Sequence, residues 1–153
     1  MIYNFILKTT LATGIILTLF SNLPTVAQEI SIDGSCKKSQ QLNDYDKFTV
    51  FYKSEFQSKG KTYWFYSAQY QDGSAISCVS KPGFKQSRPL NELKAIQNHF
   101  IQKITKDPRN KTAFLITVRG GNGSYALMTQ YRLNLSIPSN PRLTKLRTWK
   151  SKN

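Results

Sequence analysis

The chain has 153 residues, with 22 Lys and Arg against eight Asp and Glu, one His and two Cys. That length suits one domain with a single modest core rather than several. One histidine and two cysteines fall short of the usual zinc ligand set, so neither a metal nor another cofactor is expected.

The first 27 residues have the layout of a secretory signal peptide: a short segment with Lys8, an apolar run from Leu11 to Phe20, then small residues ending at Ala27. The run is short of the roughly 20 apolar residues a membrane-spanning helix needs, so cleavage after Ala27 is expected. That leaves residues 28–153 as one exported basic domain, secreted or periplasmic. Both cysteines, Cys36 and Cys78, fall in this part. In an oxidising compartment they read as one structural disulfide. A redox pair is the weaker reading, because such pairs usually sit close together as Cys-x-x-Cys.

Asn43-Asp44-Tyr45-Asp46 reads as a polar lead into a strand rather than a cation site. Phe48–Phe56 and Thr62–Tyr70 are β-branched and aromatic, with Ser58-Lys59-Gly60-Lys61 between them as a hairpin turn. Strict alternation puts Phe48, Val50 and Tyr52 on one face, and Trp64 and Tyr66 on one face of the next strand. One aromatic face is expected either to stay outward and stack on a ligand, or to be covered by a second layer. Gln71-Asp72-Gly73-Ser74 then turns the chain into a third strand, Ala75–Ser80, ended by Lys81-Pro82-Gly83.

The spacing predicts one helix over Arg88–Thr105, capped by Ser87 and stopped by Asp107-Pro108. Leu90, Leu93, Ile96, Phe100, Ile101 and Ile104 would form its apolar stripe, with Gln97 as an amide bonded to backbone inside it. His99, the one histidine, would lie on the wet face beside Glu92, too far along the axis for an acid/base pair.

Ala113–Arg119 reads as a strand. Arg119-Gly120-Gly121-Asn122-Gly123-Ser124 follows as a hairpin turn with some phosphate-cradle character, since its amides and Arg119 suit an anion. Tyr125–Ile137 alternates over its whole length, with the even positions Met128, Gln130 and Arg132 on the wetter face. Arg142–Trp149 reads as a short edge strand held by Leu146 or Trp149. The predicted fold is therefore α+β and mainly β: an antiparallel sheet in the order βββαββ, with a sixth strand, curled around one amphipathic helix. Five-stranded oligonucleotide/oligosaccharide-binding (OB) barrels share that order, a likeness of topology without a sequence motif.

Charge is uneven along the chain. Residues 28–73 hold six basic and six acidic side chains, whereas residues 74–153 hold fifteen basic ones against Glu92 and Asp107. This asymmetry implies a polyanionic partner: acidic polysaccharide, nucleic acid or lipid headgroups. The candidate anion-binding residues are Arg119 and the basic run Arg142, Lys145, Arg147, Lys150 and Lys152. Rival readings are a small secreted hydrolase such as a nuclease, using His99 and an Arg, and an envelope assembly protein that pairs through a sheet edge. No Gly-x-Ser-x-Gly elbow is present.

Overall fold

A computed structural model describes residues 29–38, 43, 45–121 and 125–151. The proposed signal segment, Asp44, the Asn122-Gly123-Ser124 tip and Lys152 lie outside them. Nine strands follow in chain order: β1 (Ser31–Ile32), β2 (Phe48–Ser58), β3 (Lys61–Gln69), β4 (Ala75–Lys81), β5 (Lys85–Pro89), β6 (Phe100–Lys106), β7 (Ala113–Gly120), β8 (Leu127–Asn134) and β9 (Arg142–Lys150). They form two antiparallel sheets, β1-β2-β3-β4-β5 and β6-β7-β8-β9. Among the described residues there is no α-helix, which overturns the α+β assignment, the βββαββ order and the OB-like barrel.

The Arg88–Thr105 segment carries the correction. Arg88 and Pro89 end β5, residues 90–98 form successive turns, and β6 begins at Phe100. Leu93 N donates to Leu90 O at 3.0 Å and Ile96 N to Leu93 O at 2.9 Å, so the three-residue apolar spacing is real up to Ile96. It buries Leu90, Leu93 and Ile96 as a plug. Asn98 then takes φ +57°, a left-handed conformation that asparagine tolerates and a helix does not. Beyond it the pairing of β6 with β7 skips a residue between Ile101 and Lys103. Such a β-bulge adds one residue to a period of two, so Ile101 and Ile104 share the inner face at helical spacing.

A second bulge, between Val50 and Tyr52, corrects the face assignment in β2. Phe48 and Val50 join one cluster while Tyr52 and Phe56 join the other, because the extra residue, Phe51, reverses the alternation. The β2–β3 turn, Lys59-Gly60, has φ +48° and +70°, the positive pair that a two-residue hairpin loop of matching twist requires.

The main core lies between the sheets. Phe56, Phe65 and Val79 meet Phe114, Ile116, Val118 and Leu133, with the 90–96 plug closing one side. Phe114 sits at the centre, with ring centroids 4.5 Å from Phe65, 5.9 Å from Phe56 and 6.4 Å from Tyr52. The other face of the first sheet is covered as well. Ile32, Cys36, Tyr66, Ala68, Ile76 and Cys78 form a second cluster, and Tyr66 Oη donates to Cys36 O at 2.8 Å. The expected Cys36–Cys78 disulfide is present and pins this cover to β4. Sheet residues buried on both faces explain why β4 reads Ala-Ile-Ser-Cys-Val-Ser without a polar side.

Candidate functional site: the outer face of the second sheet

The face of β6–β9 turned away from the core is polar, cationic and concave. In the cross-strand register, Lys103, Thr117, Gln130 and Arg147 form one row. Arg119, Met128 and Trp149 form the next row, and Leu115, Arg132 and Thr144 belong to the row on the other side. A groove of about 420 Å³ runs over them, lined by Lys103, Thr117, Gln130, Arg147, Met128 and Trp149 among others, with no carboxylate in its lining.

Arg147 and Trp149, two apart on β9, project from the same face. The Arg147 guanidinium lies 4.9 Å from the Trp149 ring centroid, and its Nε donates to Gln130 Oε1 at 3.1 Å. Stacking and the hydrogen bond hold the cation in place, so its remaining N–H groups are preorganised for an acceptor such as a sulfate, phosphate or carboxylate. The acid bordering this face is Asp107, and it is already engaged: Oδ2 lies 2.7 Å from Arg132 Nε. Arg109 N donates to its Oδ1 at 2.9 Å. That backbone bond, helped by Arg132 and opposed by burial, holds the Asp107 carboxyl below the usual carboxylate range.

The predicted anion-binding residues do not all meet here. Arg147 lines the groove, and Arg119 shares the face by register, paired with Met128. Lys145 pairs with Tyr131 on the far side of a bulge between Gln130 and Tyr131. Since Tyr131 packs on the core, Lys145 projects from the opposite face. Arg142 and Lys150 are the two ends of nine-residue β9, roughly 26 Å apart at strand rise. The basic run is thus spread along an exposed edge strand rather than gathered into one patch.

Lys103, Gln130 and Trp149 were not among the expected site residues. Lys103 was hidden by the helix assignment, whereas Gln130 and Met128 were legible as the wetter face of β8. The turn after β7 opens a hairpin, with Gly120 paired to Leu127, and Gly121 at φ +83°.

His99 is exposed and bridges to Ala75 in the backbone ladder. Its Nδ1 lies 2.7 Å from Gln97 O, while Glu92 is paired with Arg88 at 2.8 Å. Among the described residues no carboxylate is bonded to His99. Gln97 does serve the backbone, though across space and not within a helix: its Oε1 accepts Ser77 N at 2.8 Å. Asn43 accepts the amides of Tyr45 and Asp46 at 3.1 and 3.0 Å, which makes that segment a turn. Comparison with protein-family models, curated proteins and solved structures finds no match to this chain.

Proposed function

We propose that the protein is an exported, non-enzymatic module that binds an anionic polymer, such as an acidic polysaccharide or a nucleic acid, across the outer face of β6–β9. The observation that carries this reading is the placement of Arg147, stacked on Trp149, in one acid-free groove with Lys103 and Gln130. Four strands at about 4.8 Å spacing give a face roughly 14 Å wide, enough for a few polymer units. Export is supported by the signal-like residues 1–27 and by the Cys36–Cys78 disulfide.

Binding to heparin-type polysaccharide and to single-stranded and duplex DNA, measured across a salt series, tests the reading. Affinity should fall steeply with salt, and Arg147→Gln with Lys103→Gln should flatten the slope by about one unit per lost contact on duplex, somewhat less on single strands. Trp149→Ala should weaken binding at every salt concentration without changing the slope. Unchanged affinity and slope in the double variant, with unchanged affinity in Trp149→Ala, would place binding elsewhere. Catalytic turnover of the same polymers, lost in His99→Ala without unfolding, would replace this reading with the hydrolase.

A further inference from the structure

A second concavity lies where the first sheet meets the loop between β8 and β9. We propose that it is a binding site for the phosphate or sulfate group of a compact ligand no larger than a monosaccharide. It forms between the β2–β3 turn, the ends of β4 and β5, and the loop joining β8 to β9, and encloses about 350 Å³. Ligand pockets span roughly 300 to 1,000 Å³, and at the lower end of that range this one has room for a group of monosaccharide size.

Its charge is one-sided. Lys59, Lys61, Lys81 and Arg88 line it, and no carboxylate does. Arg88 is committed to the wall: Nη1 pairs with Glu92 at 2.8 Å and Nη2 donates to Pro138 O at 2.6 Å. The three lysines pair with no carboxylate among the described residues. Lys81 Nζ is held 3.8 Å from the centre of the Tyr63 ring, and that ring is stacked on Phe56 at 5.6 Å. Lys59 and Lys61 flank Gly60 in the tight turn and are exposed. Like charges converging on a concave wall focus a positive potential that an anion relieves.

The walls are fixed before any ligand arrives. Ser58 Oγ donates to Ser136 O at 2.6 Å, which ties the β2–β3 turn to the second sheet. The Arg88–Pro138 bond ties β5 to the same loop. Two inter-sheet bonds on either side of the opening make the pocket preorganised, so less ordering cost opposes binding. The Tyr63 faces are occupied by Phe56 and Lys81, which leaves charge rather than ring stacking as the source of affinity.

Amide chemical shifts of the natively oxidised protein, titrated with inorganic phosphate, glucose 6-phosphate and glucose, decide the matter. Both phosphates should shift the amides of residues 58–63, 79–81, 136, 137 and 139, whereas glucose should leave them in place. Lys59→Gln with Lys61→Gln should weaken glucose 6-phosphate binding roughly tenfold or more, the scale of a lost charge-assisted hydrogen bond. Lys94→Gln with Lys111→Gln removes the same charge elsewhere and should leave affinity unchanged, as should Arg147→Gln on the polymer face. Equal weakening in the two lysine pairs, shifts with glucose alike, phosphate binding that excludes the sugar ester, or no shift at millimolar phosphate would each overturn the proposal. Polymer binding across β6–β9 stands or falls separately, because Lys59→Gln with Lys61→Gln leaves that face intact.

Discussion

Asp107 shows how one side chain sets the local order at the rim of the outer face of β6–β9. It is 4 % exposed, accepts Arg109 N and pairs with Arg132, and its carboxyl is held below the usual value. A depressed folded value means the charged form stabilises the fold above the unfolded value of about 3.9, and the contribution disappears as pH falls through the folded value. Asp107→Asn should therefore lower the urea midpoint at pH 7, and the gap from the parent should narrow as pH falls through the depressed folded value. A gap that keeps its size until the carboxylates are fully protonated would show that shape, not charge, matters there. Asp33 behaves likewise: burial raises its carboxyl, but the bonds from Lys37 N and from Ser35 outweigh it and hold it low.

At the scale of single elements, bulges decide which side chains face which layer. In β6 the extra residue lets Ile101 pair with Val118 and Ile104 with Ile116 on one inner face. Inserting one residue after Gln102 would shift the two halves of β6 out of phase and turn one isoleucine outward, with a loss of about 2–5 kcal/mol for the emptied core site. Gln102→Ala keeps the residue count and should stay within about 0.5 kcal/mol of the parent, since the side chain is exposed. Chemical denaturation of the two variants separates register from side-chain identity. Equal stability would mean that β6 slips without cost.

For the whole molecule, the long-range tie is the Cys36–Cys78 bond, which closes a loop of 42 residues over the outer face of the first sheet. Loop-closure entropy gives it about 4 kcal/mol. Cys78→Ser should lower the melting temperature by roughly 10–20 °C, and reductant should lower the parent by a similar amount. A shift of only a degree or two would mean that the Ile32, Tyr66 and Ile76 packing holds the cover unaided. The excess of positive charge in residues 74–153 gives the molecule a net positive field. Two separate concavities without a carboxylate in their linings lie within it.

The segments of β2 to β4 and β7 to β9, the turns between them and the cysteine pair were legible without coordinates, because each rests on local chemistry, whereas β1, β5 and β6 were not. Alternation marked β8, the Lys59-Gly60 and Asp72-Gly73 turns followed from residues that accept positive φ, and the disulfide followed from an even pair downstream of a signal-like segment. The Arg88–Thr105 helix failed for a reason equally physical. A run of three-residue turns followed by a bulged strand repeats apolar side chains at three and four, and no local signal separates that from a helix. Which faces are covered, and how a basic run divides between the two sides of β9, depends on pairing partners far away in sequence. Only the assembled sheets supply those partners, and they bring Lys103 and Arg147 to one groove while sending Lys145 to the other face.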